Sequence, residues 1–370
     1  MNRSSPRPAA LLTGLLTGLL TLLPAAVQAA PASYTVTPAS GKYDHAMGLN
    51  NAGFFAVNNA DTNVPYRIGY LSNGLVQEGV GTLGGGDSII AGFSNRNEAV
   101  GNATTAEGGP HAFLYSSGRM HDLTARYGIG VATAINDRGD IGGQTASTAA
   151  NGQALLLHDG KVQVFDRPDS TVADVNNAGD VVGNYLSAGQ RIFRYTQAGL
   201  SDVGIPSSAG AQAAGLNDAG ALVGTRYATD GHSYAFLDVA GRITDLTPPA
   251  VSSTAYGINN LGEVVGTTGN RAFLYTDGQL IDLNTLVDPN AHVLLTSAIA
   301  INDRGQILAN ACDAQGVFCY ATLRLDPVPA VPEAPGAAML LAGLAGLALR
   351  ARACASRFRN AGSARPSRAG

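Results

Sequence analysis

The sequence predicts an all-β fold, a β-propeller of four-stranded blades, on three observations. A short turn module recurs every 40 to 45 residues. A second hairpin module lies between its copies. The chain holds 47 Gly among scattered Asn and Asp, and no repeat carries a 3.6-residue helical pattern.

The turn module reads apolar residue, Asn, Asn or Asp, any residue, Gly. It occurs at Leu49–Gly53, Ile135–Gly139, Val175–Gly179, Leu216–Gly220, Ile258–Gly262 and Ile301–Gly305. Its first Asn is therefore Asn50, Asn136, Asn176, Asn217, Asn259 or Asn302. Its Gly is Gly53, Gly139, Gly179, Gly220, Gly262 or Gly305. A degenerate copy, Ser94–Glu98, has lost the Gly. With Asn95 taken as its first Asn, the steps are 45, 41, 40, 41, 42 and 43 residues. Asn and Asp side chains bond nearby backbone and Gly accepts positive φ, so each copy predicts a tight turn between strands.

The second module reads Ala112–Tyr115, Ala154–Leu157, Ile192–Tyr195, Ala235–Asp238 and Ala272–Tyr275. Each copy precedes a turn ending in Gly: Gly118, Gly160, Gly199, Gly241 and Gly278. Asn73-Gly74 supplies the same turn after Tyr70. Such pairs are hairpin signals. The following run often closes in Asp-Leu, as at Asp122-Leu123, Asp245-Leu246 and Asp282-Leu283. One period thus holds two hairpins, the content of a propeller blade. Seven turn modules occur, but the last is followed by one strand only, within Val317–Leu325. A strand at Ser33–Thr37 completes that blade and removes an exposed sheet edge. Seven blades are preferred over six plus a stray hairpin.

The two ends read as signals. Arg3 and Arg7 precede the apolar run Leu11–Leu23, and Val27, Gln28 and Ala29 put small residues where a signal peptidase reads. The run is too short to span a bilayer core, which needs about 20 residues. Residues 1–29 are therefore expected to be a removable export signal. At the other end, Val331, Pro332, Glu333 and Pro335 precede the apolar segment Gly336–Leu349, expected to form a short helix. Arg350, Arg352, Arg357, Arg359, Arg365 and Arg368 follow without an acid. An apolar segment followed by clustered Arg stops in a membrane with its basic end in the cytoplasm. The expected organisation is a signal at 1–29, a repeat propeller at 30–327, and a linker, short transmembrane segment and Arg-rich tail at 328–370.

Between residue 29 and the apolar segment Gly336–Leu349 lie 15 basic and 27 acidic residues, a net charge of −12. That argues against nucleic acid as a partner. Cys312 and Cys319 flank Asp313–Gly316, so in an exported chain they read as a disulfide across a hairpin. Cys354 lies in the basic tail.

The C-terminal order of motif, apolar segment and Arg cluster resembles the PEP-CTERM sorting tail. That resemblance implies a Val331–Pro335 sorting motif and processing by an exosortase-like membrane enzyme. Ala334 stands where that family has Pro, and the segment after the apolar stretch is longer than usual. The repeats, with His111-Ala112-Phe113 and Ile-Asn-Asp-x-Gly turns, resemble the HAF family of extracellular repeats over residues 48–325. Leu83–Gly86 resembles its interblade linker. This resemblance implies no activity.

Chemistry was sought in the sequence as well. No Gly-x-Ser-x-Gly elbow, His-Glu-x-x-His motif or P-loop is present. No catalytic, cofactor or metal residue is assigned. His111 and His121 flank one hairpin and read as a surface pair. Asp174–Asp180 has part of a calcium-loop spacing, but Ala178 fills a ligand position and no acid closes it, so it reads as a turn. Tyr115, Tyr195 and Tyr275 recur at one position and read as interblade packing. The expected function is a non-enzymatic exported binding or structural module of the cell envelope or matrix. It is expected to be monomeric and transiently anchored in the inner membrane, with a matrix polysaccharide or surface protein as partner. The alternative is a hydrolase or lyase acting on exopolysaccharide at the propeller mouth.

Overall fold

The computed structural model describes residues 33–39, 44–59, 66–146, 152–206, 209–313 and 319–328. The two signal regions, the sorting motif and the apolar segment lie outside them. Among the described residues, no helix is long and apolar enough to cross a membrane.

Seven antiparallel sheets of four strands form the fold. Blade 1 comprises Asp44–Leu49, Phe55–Asn59, Gly69–Ser72 and Gln77–Gly79, paired in that order. Blades 2 to 7 begin at Gly84–Phe93, Ile129–Ile135, Ser170–Val175, Gly210–Leu216, Ser253–Ile258 and Val293–Ile301. Each of these first strands contacts the first strand of the next blade, and that of blade 7 contacts blade 1, so they line the axis of a closed ring.

Closure uses both ends of the body. In blade 7, Val293–Ile301, Ile307–Asp313 and Cys319–Val328 are followed by Ser33–Pro38 as the outer strand. Its register runs from Ser33 opposite Val328 to Pro38 opposite Leu323. The seven-blade count and the N-terminal strand follow the sequence expectation. Cys312 is buried and disulfide-bonded, and the ladder sets Cys319 opposite it.

The core lies between blades. Seven apolar clusters each join residues of adjacent blades, such as Val223 and Ala235 of blade 5 with Ala255, Val264 and Phe273 of blade 6. Phe113, Phe193, Phe236 and Phe273, from the second module, are fully buried. Fully burying such a ring contributes about 1.5–3 kcal/mol. Gly266 explains why Gly follows Val-Val in the second strands. A Cβ there would stand 2.0 Å from the Thr254 carbonyl oxygen and 2.8 Å from the Phe273 ring.

Two details depart from expectation. Two of the three Asp-Leu endings are helix starts as well as strand ends, while Asp245-Leu246 runs into a bend. Asp122 caps the short helix Leu123–Tyr127 by accepting the Ala125 N–H at 2.8 Å, and Asp282 caps a 3₁₀ turn at Leu283–Thr285. Leu123 and Leu283 are drawn into the interblade core. In blade 2 the register also shifts by one. Ser94, not Asn95, occupies the place of the first Asn, because its carbonyl receives the Asn50 amide and its N–H closes the turn onto Glu98. Asn97 takes the Gly position, at φ 59°.

Candidate binding face

All seven turn modules lie at one end of the ring and surround the mouth of its axial channel, a depression of about 200 Å³. The expected turn glycines all hold positive φ, from 71° at Gly305 to 88° at Gly139. The first Asn of each module does two jobs. Its Oδ1 caps its own turn, as where Asn259 accepts the N–H groups of Leu261 and Glu263 at 3.1 and 2.9 Å. Its Nδ2 crosses to the next blade. Asn136, Asn176, Asn217, Asn259 and Asn302 donate to the carbonyls of Asn176, Asn217, Asn259, Asn302 and Asn50 at 2.8–3.2 Å. These Asn residues are all buried. Sequence reasoning found the turns but not these crossings, because it treated each blade alone.

The second residue of the module forms a second belt, which closes completely. The N–H groups of Asn51, Asn95, Asp137, Asn177, Asp218, Asn260 and Asp303 each donate to the Oδ1 of the next in order, and Asp303 donates to Asn51, all at 2.6–2.9 Å. Around the ring the residues alternate. Asp137, Asp218 and Asp303 are separated by Asn, and their Oδ2 atoms accept Nδ2 groups from the flanking Asn residues at 2.8–3.2 Å. Strict alternation cannot close on an odd number of blades. One pair of like neighbours is forced, and it is Asn51 beside Asn95. Two adjacent Asp residues would instead place carboxylates together with no amide between them. The signal was legible in the sequence, since this position is only ever Asn or Asp.

Deeper in the channel, each first strand carries a bulge just before its turn. The residue after the bulge is Gly48, Gly92, Ala134, Asp174, Gly215, Gly257 or Ala300, so one carboxylate stands among small residues. Asp174 accepts the Leu216 N–H of blade 5 at 2.7 Å and the Val175 N–H at 2.8 Å. Burial pushes its carboxyl up to about 6, with Asp218 adding to the rise while the two N–H groups oppose it. Asn176 and Asp180 belong instead to the turn and the crossing: Asn176 Oδ1 accepts the Asp180 N–H at 2.9 Å, and its Nδ2 reaches the Asn217 carbonyl.

The remaining candidates are structural. His111 Nδ1 meets Asp122 Oδ2 at 2.8 Å rather than pairing with His121. Tyr115 and Tyr195 reach Glu78 and Gln163 on the outer strand of the preceding blade, in keeping with interblade packing. Among the described residues, no group of His, Cys, Asp and Glu could hold a metal ion.

One junction departs from the rest. Between blades 1 and 2 a groove of about 340 Å³ opens on the same face. Glu78 there accepts the Tyr115 hydroxyl, and Glu98 accepts Ser116 Oγ at 2.8 Å and pairs with Arg96 at 3.1 Å. Burial and Glu78 push the Tyr115 hydroxyl up to about 12.

No family model matches the chain, and no curated protein matches it. Solved structures do resemble it. The β-propeller domain of the Trilobed protease from Pyrococcus furiosus aligns at 9% identity and TM-score 0.52, over 76% of this chain and 93% of that one. YCF48 bound to a D1 peptide aligns at 11% and 0.52, over 80% and 97%. TolB from Acinetobacter baumannii aligns at 12% and 0.46, over 78% of this chain and 65% of TolB. The chain thus spans less than two thirds of TolB. At these identities the likeness is one of fold: the chain is a seven-bladed β-propeller.

Proposed function

We propose that this propeller is a non-enzymatic binding or structural module, exported to the cell envelope or extracellular matrix. The observation that carries this reading is the chemistry of the mouth. Acids do gather there, which by position suits an enzyme. Yet the Asp137, Asp218 and Asp303 carboxylates are engaged by Asn amides and backbone N–H groups of the belt. A general acid or base needs a carboxyl free to exchange a proton with substrate, and these carboxyls are committed to holding the ring. Export rests on the signal-like residues 1–29, and processing on the resemblance of residues 331–370 to a sorting tail. The HAF-like repeats fit an extracellular setting.

Two measurements test this. Purified protein incubated with matrix polysaccharide should co-sediment with it or leave it unbound, but release no new reducing or unsaturated ends. Catalytic release that Asp137→Asn abolishes would establish the hydrolase or lyase alternative. The intact mass of the exported protein should place its C-terminus near Val331–Pro335, without Cys354. A C-terminus at Gly370 would make the tail a simple anchor.

A further inference from the structure

The irregularities of the repeat converge on the groove between blades 1 and 2. Ser94 replaces the first Asn, Asn97 replaces Gly, and the like pair of the outer belt falls here. The blade 1 hairpin has a four-residue loop, Asn73–Val76, where blade 2 has two residues. That loop leaves Leu75 93% and Val76 64% exposed. A repeat that breaks its own rules at one place marks a site with another task.

The groove pairs apolar walls with net negative charge. Phe54, Leu71 and Val76 line it, and the Glu78 and Glu98 carboxylates face a single guanidinium, Arg96. A fitting occupant is aliphatic and basic. The chain carries such a segment, Gly336–Leu349 followed by Arg350 and Arg352. The described chain ends at Val328, on this same face. Pro327 packs near Gly305 of the last turn, and the Arg324 guanidinium donates to the Asn73 carbonyl at 3.2 Å, so the exit adjoins the loop that walls the groove. The 23 residues from Val328 to Arg350 reach about 70 Å when extended, ample to cross one blade.

We infer that, in the uncut chain in water, the apolar and basic C-terminal segment occupies the groove between blades 1 and 2. Apolar residues of the segment cover Leu75 and Val76, and its Arg residues meet Glu78 and Glu98. A membrane competes for the same segment, and removal of the tail leaves the groove open to an external ligand. The inference concerns the uncut chain and does not depend on which enzyme cuts it.

Cys354, just beyond Arg352, supplies the test. In full-length protein verified by intact mass, Val76→Cys should form an intrachain disulfide with Cys354 under mild oxidation. Ser117→Cys, on the opposite rim, should do the same. Leu186→Cys, 62% exposed in blade 4, is the control. The groove variants should cross-link about tenfold faster than the control, reflecting the local concentration of a docked segment. Combining Val76→Cys with Glu78→Gln and Glu98→Gln should erase that preference. Equal rates at the groove and at position 186 would overturn the inference. So would cross-links formed mainly between molecules, which would make a second copy the occupant.

Discussion

Blades 3 to 7 and the junction of blades 1 and 2 are written in the same repeat, yet they hold their neighbours differently. From Asn136 to Asn302, each first Asn caps its turn and clasps the next blade. At the exceptional junction, Asn50 reaches the Ser94 carbonyl only at 3.5 Å and gives its better bond to Asn97 Oδ1 at 2.7 Å. Ser94 has no amide to pass on to blade 3. The difference teaches that the recurring turn is an interblade fastener, and that the ring can forgo one, between blades 2 and 3, where the outer belt still closes through Asn95 and Asp137.

Breaking a regular blade should have the largest effect. Gly266→Ala puts a Cβ 2.0 Å from a backbone oxygen that cannot move without shifting the first strand of blade 6. A loss of about 3 kcal/mol is expected, read as a large fall in melting temperature. In Gly262→Val the new Cβ meets no atom within 4 Å, so the φ of 83° is the main opposition to the change, at about 1–3 kcal/mol. If Gly266→Ala proved as mild as a surface substitution, close packing of the first two strands would not be what fixes Gly there.

The fasteners themselves come next. Asn259→Ala strands the Asn302 carbonyl and two turn N–H groups in a buried setting, with an expected loss of about 2 kcal/mol. Ser94→Ala removes one bond, to the Arg96 N–H at 3.3 Å, and should cost under about 0.5 kcal/mol. Equal losses in chemical denaturation would show that the two junctions are fastened alike.

The fold was legible because its period was. Gly, Asn and Asp mark turns by local chemistry, and counting them gave the blades and the place of Ser33–Pro38. The belts were not read, since a side chain that satisfies its own turn offers no local reason to look 41 residues ahead. The degenerate copy was misaligned because identity was matched at Asn95, whereas hydrogen bonding matches Ser94. Asp174 also escaped. Its spacing from Asn176 and Asp180 suggested a loop, but the bulge before it turns it toward blade 5.

Asp174 offers a pH test within the regular half of the ring. Its folded carboxyl titrates at about 6 rather than 3.8, because burial disfavours the charge. The unfolded chain therefore ionises first, and stability falls as pH rises between about 4 and about 6. Asp122 and Asp140 are shifted the other way, so their contribution is lost only as pH falls below 3.8. Asp174→Asn keeps an acceptor for the Leu216 N–H and removes the buried charge. It should stabilise the protein at pH 7 by about 1 kcal/mol and flatten the melting temperature between pH 4 and pH 6. An unchanged pH profile would show that channel water solvates the carboxylate fully.

The smallest effect sharpens the comparison most. Ser94→Asn restores the residue that the other six modules carry. Its Oδ1 would accept the Arg96 and Glu98 N–H groups, as Asn136 does for Arg138 and Asp140. Its Nδ2 would reach the Asn136 carbonyl of blade 3 and Glu98 within its own turn, as Asn259 reaches Asn302 and Glu263. Three added bonds, since Ser94 already accepts the Arg96 N–H, are each worth about 1 kcal/mol at most and are partly offset by ordering the larger side chain and by Arg96, which already pairs with Glu98. The net expectation is a gain of about 0.5–1 kcal/mol, a melting temperature higher by a degree or two for a chain of this size. If the seventh fastener is missing only because the groove needs Glu98 and Asn97 as they stand, the same variant should slow the Val76→Cys to Cys354 cross-link while it stabilises the ring. A stable variant with an unaltered cross-linking rate would separate the two properties. The missing fastener would then be a tolerated flaw between blades 2 and 3, next to the forced seam of an odd ring.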